Sequence, residues 1–223
     1  MFPSIFFPYH SGFIHTPTHQ RGTELTFDAI FPTDLYLPSI PEVDLAFAIS
    51  AASVEADDNF KKTKAVITAI IDTYGMNKLR YGVIVFGSRA SSKIRFGDVL
   101  PRDEELKTIV GSLSGPKQPP ALNEALKKGK ELFDNADERP NARKVLVVIV
   151  DKKSTSTLDE LRRGAKRLEE DDIKVIPVAI GDEVDHAELE EITPEKANTV
   201  NASTDIYVID LKTRIMNKVF EGK

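Results

Sequence analysis

The segment Lys144–Val150, KVLVVIV, carries no polar side chain after its first residue. Side chains alternate between the two faces of a strand, so a strand apolar at every position needs cover on both faces. That is the condition of a parallel sheet held between two layers of helices. Runs of the same kind recur at Val43–Ile49, Tyr81–Phe86 and Lys174–Ile180. Between them the apolar spacing changes to that of a helix. In Asn59–Tyr74, residues Phe60, Thr63, Val66, Ile67, Ile70 and Ile71 fall on one helical face. Further helices are predicted over Glu104–Leu113, Ala121–Asp134, Leu158–Glu170, His186–Ile192 and Leu211–Phe220. Ser91–Phe96 reads as a short strand and Ile206–Ile209 as the last one. Alternation of strand and helix predicts an α/β, doubly wound, mostly parallel central sheet, Rossmann-like, with helices on both faces and right-handed crossovers.

The chain of 223 residues is expected to hold one domain, residues 42–223, preceded by an extension, residues 1–41. Prolines at 3, 8, 17, 32, 38 and 41, mixed with Phe and Tyr, forbid regular helix there and predict an extended arm. Within it Leu25, Phe27, Ala29 and Phe31 alternate, as an added edge strand or a segment laid over the domain would. A net charge of −5 offers no long-range attraction to nucleic acid or anionic lipid, and no apolar run is long enough to insert in a membrane. The lack of cysteine excludes disulfides, thiolate metal sites and a cysteine nucleophile. The opening MFPSIFFPYHSGF lacks the basic start of a secretory signal and is broken by Pro3 and Pro8. Either a leader has been removed before it or secretion by that route is not expected.

In an open α/β sheet the binding crevice lies beyond the C-terminal ends of the strands. Three loops are expected to meet there: SAASVEADDNF after Ile49, SGPKQPPALNEAL before the third helix, and DKKSTSTLDE after Val150. The first has no glycine to bring its backbone close to a phosphate, which disfavours nucleotide binding. No histidine falls beside Ser50 or Asp151, so no nucleophile–base pair forms and an enzyme is not expected. His10, His15 and His19 lie in the arm and His186 opens a short helix. Arg162, Arg163, Lys166 and Arg167 form a basic stripe, read as a solvated helix face with local charge pairing. Asn201-Ala202-Ser203 is an N-glycosylation sequon, with Asn201 the candidate acceptor.

The segments VDLAFAISAASVEADDNFKKTKAVITAIIDTYG, YGVIVFGSRASSKIRFGD and KVLVVIVDKKSTSTLDELRRGAKRLEEDDIKVIPVAIGDEVDHAELEEIT together resemble a von Willebrand factor A domain. The likeness is to the extracellular-matrix type found in collagen VI and the matrilins. It runs from about Glu42 to the C-terminus. Family members often carry a metal-ion-dependent adhesion site, formed by Asp-x-Ser-x-Ser after the first strand, a Thr in the second loop and an Asp after the fourth strand. The resemblance places those five positions at Ser50, Ala52, Val54, Pro120 and Asp151. Only Asp151 keeps the family residue, so the adhesion site is expected to be degenerate, with no metal and no cofactor. The alternative is a Mg²⁺ or relaxed Ca²⁺ site using Ser50, Ser53, Asp151 and Asp57, since Ca²⁺ accepts irregular oxygen cages. Glu55, Asp57 and Asp58 also suit a helix N-terminus without any metal. The resemblance implies a secreted adhesion or matrix protein that binds a protein partner such as collagen. A cytoplasmic scaffold is the other placement. The stiff loop Pro116, Lys117, Gln118, Pro119, Pro120 is the first candidate contact surface.

Overall fold

A computed structural model describes residues 40–52, 58–98, 102–115, 117–193 and 195–221. Its elements in chain order are β1 (Val43–Ser50), α1 (Asp58–Tyr74), β2 (Leu79–Phe86), β3 (Ala90–Ile94), α2 (Asp103–Ser112), α3 (Leu122–Asp134), β4 (Arg143–Val150), α4 (Leu158–Glu170), β5 (Ile173–Ile180), α5 (His186–Glu191), β6 (Val200–Ala202) and α6 (Val208–Phe220). The predicted edge strand Leu25–Phe31 and the three arm histidines lie outside the described residues.

The six strands form one sheet in the order β3-β2-β1-β4-β5-β6. Every pairing is parallel except β2 with β3. The order reverses at β1, which lies between β2 and β4. Its partners run from Val43↔Leu79 to Ser50↔Phe86 on one side, and from Val43↔Arg143 to Ile49↔Ile149 on the other. Alternation along β1 divides the core. Val43, Leu45, Phe47 and Ile49 join α1, α2 and α6 in one buried cluster, while Ala46 and Ala48 face α3, α4 and α5 in the other. The two-faced burial read from KVLVVIV is observed, since Val145 through Val150 are all buried.

Packing on the second face is close. A Cβ at Gly129 of α3 would fall 2.6 Å from the Leu146 side chain, so this helix lies nearer β4 than any side chain at that position permits. At the N-terminal edge of the sheet, buried Asp44 accepts from Arg80 Nε (2.9 Å) and Nη2 (2.6 Å), and pairs with Arg139 Nη1 at 3.2 Å. This two-pronged pair ties β1 to β2 at the end opposite the crevice.

One element differs from expectation. Ile206–Ile209 is not a strand. The last strand is Val200–Ala202, and Tyr207 is the N-cap of α6. The β-branched run IYVI has strand propensity, but Leu211, Ile215, Met216 and Val219 supply a buried helical face just beyond it, and tertiary packing prevails. Tyr207 is left 76% and Ile209 57% exposed.

Candidate functional site

The C-terminal ends of β1 and β4 place Ser50 and Asp151 side by side at the reversal point. Both are buried, and Ser50 Oγ donates a 2.9 Å hydrogen bond to Asp151 Oδ1. The three predicted loops do meet here. Ala51 N–H continues the β1–β2 ladder by donating to Phe86 O at 2.8 Å. Gly115, in the second loop, packs so closely on Ala51 that a Cβ there would fall 2.0 Å from the alanine Cβ. Ala121 N–H donates to Gly87 O at 2.8 Å, and Thr155 N–H to Pro120 O at 2.9 Å.

The third loop holds α3 by its N-terminus. The N-cap position, Ala121, has no side-chain oxygen to offer the first amides of the helix. Ser154 Oγ accepts from Leu122 N–H and Ser156 Oγ from Asn123 N–H, each at 3.0 Å, and Ser156 Oγ donates to Asn123 Oδ1 at 2.7 Å. Two hydroxyls from another loop thus serve as caps. Beneath them, Glu188 Oε2 accepts from Ser154 N–H at 2.9 Å. Burial pushes the Glu188 carboxyl above the usual carboxylate range, against the opposing pull of the Ser154 amide. Asp185 caps α5 through Ala187 N–H (3.0 Å) and meets Lys153 Nζ at 2.7 Å. The lysine and that amide hold its carboxyl below the usual range. Sequence reasoning passed over Ser154, Ser156 and Glu188. The signal lay in the Ser-x-Ser spacing of DKKSTST, but its targets are thirty-two and thirty-three residues earlier, which no local pattern reveals.

Of the predicted site residues, Ser50, Ala52, Pro120 and Asp151 come together at this place, with Ala51 between the first two. Ser53, Val54, Glu55, Asp57 and Pro116 lie outside the described residues. Asp58 begins α1, where its charge suits the helix N-terminus. In the proline loop Lys117, Gln118 and Pro119 are exposed, with Lys117 in the left-handed region at φ 52°. Gln118 Oε1 accepts from Ser88 Oγ. Pro120 departs from the expected contact surface: it is buried, because its carbonyl is drawn in to receive the Thr155 amide. Two of the four residues of the basic stripe on α4, Arg162 and Lys166, have acidic partners. Arg162 donates to Glu191 at 2.6 and 2.9 Å and to Asp159 at 3.1 Å, and Lys166 lies 3.9 Å from Glu170. His186 sits in the first turn of α5.

The donor set can be tested against a divalent cation. Among the described positions Ser50 supplies one neutral hydroxyl and Asp151 one carboxylate, while the Ala52 and Pro120 side chains supply no oxygen. No group of three or more His, Cys, Asp or Glu side chains that could hold a metal occurs among the described residues. Mg²⁺ needs a near-octahedral oxygen shell and gives up water reluctantly, so the described residues do not fit it.

The fold is shared with known proteins. Residues 44–212 match the model of the von Willebrand factor type A domain. The chain is 28% identical over 187 residues to the collagen alpha-6(VI) chain of Mus musculus, covering 81% of this chain and 8% of that protein. It is also 28% identical over 177 residues to Matrilin-1 of Homo sapiens, covering 76% of this chain and 33% of that one. The chain therefore spans a third or less of these relatives. Among solved structures, proximal thread matrix protein 1 from the mussel byssus superposes with a TM-score of 0.69 at 20% identity, over 78% of this chain and 47% of that one. A second structure of the same protein, with a zinc-occupied MIDAS motif, also gives 0.69, at 16% identity over 81% and 46%. With the family model spanning the sheet from β1 into α6, the chain is a member of the von Willebrand factor type A domain family.

Proposed function

We propose that this domain is a non-enzymatic protein-binding module of an extracellular matrix or adhesion protein, and that it holds its partner without a bound cation. The observation that carries this reading is the hydrogen bond from Ser50 Oγ to Asp151 Oδ1. Where the family aligns its first carboxylate there is a hydroxyl, and that hydroxyl is spent on the one remaining acid. Likeness to a collagen VI chain and to matrilin supports the matrix setting. Collagen is the first partner to try, with Lys117, Gln118 and Pro119 as the exposed part of the candidate contact loop. Binding by a stiff, proline-framed loop loses little chain entropy.

The test is a pull-down from matrix extract and a surface-binding assay on fibrillar collagen, each with and without EDTA. Capture unaffected by chelator is expected; binding abolished by EDTA overturns the metal-free reading. The zinc held at the equivalent motif of the mussel byssus protein keeps a second reading in play: a cation site with irregular ligands, including Ser50, Ser53 and Asp151. Calorimetry with Mg²⁺, Ca²⁺, Mn²⁺ and Zn²⁺ separates the two, since heat of binding at one equivalent supports only the second.

A further inference from the structure

We propose that Asn201 carries an N-linked glycan and that the glycan guards the open edge of the sheet. The residue lies in β6, the terminal strand of the sheet, which among the described residues pairs with β5 alone. Val200 and Ala202 turn into the core, while Asn201 is exposed, as is Ser203, the third residue of the sequon. No other asparagine in the chain is followed two residues later by Ser or Thr. Among the described residues no hydrogen bond engages the Asn201 side-chain amide. The backbone carbonyl of the same residue accepts from Arg214 Nη1 at 3.2 Å.

A terminal strand is a template for further strands, and proteins commonly blunt it with Lys, Pro, a bulge or a covering element. β6 has the sequence Val-Asn-Ala, with no charge or proline of its own, and among the described residues only its shortness and Arg214 defend it. A bulky hydrophilic glycan on the middle residue supplies the missing barrier. The sequence beyond adds to the need, since exposed Tyr207 follows Ser203 by four residues.

The donor is a lipid-linked oligosaccharyl pyrophosphate, used by the oligosaccharyltransferase of the secretory route. Asn201 Nδ2 attacks the anomeric carbon and a C–N bond forms. The bond from that carbon to the pyrophosphate oxygen breaks, the lipid pyrophosphate leaves, and Nδ2 loses one proton. No oxidant or reductant is needed.

The inference rests on the extracellular reading above, and its test separates the two. The chain is expressed in eukaryotic cells behind a supplied leader, so passage through the secretory route is imposed. The secreted protein should run heavier by one glycan, which peptide-N-glycosidase F removes. Asn201→Gln and Ser203→Ala should each abolish the added mass, while Ser203→Thr should preserve it. A secreted, cooperatively melting chain without sugar overturns the assignment and leaves the adhesion reading untouched. The unglycosylated variants should self-associate more than the glycosylated chain by light scattering; equal behaviour overturns the guarding role.

Discussion

Ser50→Ala tests the centre of the argument. The substitution deletes one oxygen and leaves the strand, its pairing with β2 and the neighbouring methyl groups in place. It removes the 2.9 Å bond to Asp151 in a setting where both residues are buried, Ser50 5% and Asp151 8% exposed. A hydrogen bond to an ionised acceptor contributes roughly 1.5–3 kcal/mol, and a buried acceptor deprived of it keeps its desolvation cost. For a domain of this size each kcal/mol shifts Tm by about 2–4 °C, so the variant should melt roughly 3–12 °C lower. Differential scanning calorimetry at pH 7 reads the shift. Asp151→Asn is the control: it keeps an oxygen for the Ser50 hydroxyl, so Ser50→Ala in that background should cost less than in the wild type. If Ser50→Ala melts with the wild type, the pair does not hold β1 to β4, and the account of the vestigial site fails with it. Ser50→Asp carries the reasoning further. Two facing carboxylates without a cation should repel, and a variant stabilised in metal-free buffer would contradict that.

Asp44→Ala leaves Arg80 and Arg139 without their shared acid; because both guanidiniums are partly exposed, the loss should fall near the lower end of the roughly 3–5 kcal/mol of a broken buried pair, read by urea denaturation. Gly115→Ala pushes a methyl into Ala51, so the second loop must withdraw. About 1–3 kcal/mol should be lost, and a melting point equal to wild type would show that the loop gives way freely. Glu188 has its folded pKa raised by burial, so its contribution to stability is full below the unfolded value of about 4.3 and is lost as pH rises through the folded value. Glu188→Gln keeps an oxygen for the Ser154 amide. It should therefore melt above the wild type at pH 7 and level with it at pH 4; a gap that widens on acidification would reverse the assignment.

The sheet was legible because its signal is redundant. KVLVVIV, IKVIPVAI and VDLAFAI each demand two-sided burial, and the helical spacing in Asn59–Tyr74 leaves little choice about what lies over them. The misread element, Ile206–Ile209, is four residues long, where propensity and helical packing give opposite answers and only the neighbours decide. The true last strand, Val-Asn-Ala, is too short to show any alternation. Ser50 and Asp151 can be located from the sequence because each sits at the C-terminal end of a buried apolar run. Pro120 was misjudged as a contact residue because a proline in a polar loop gives no sign that its carbonyl is needed by Thr155. Ser154 and Ser156 were invisible for a related reason: a cap lent across the fold has no local sequence pattern.

That loan makes the first turn of α3 depend on a stretch of chain it never touches in sequence. Leu122 and Asn123 amides should exchange their hydrogens with solvent only when the 151–157 loop lifts away, so their protection reports on that loop rather than on the helix they belong to. Whatever seizes or displaces the loop would loosen a helix end at the same moment, and a proton counter placed there would register a partner's arrival.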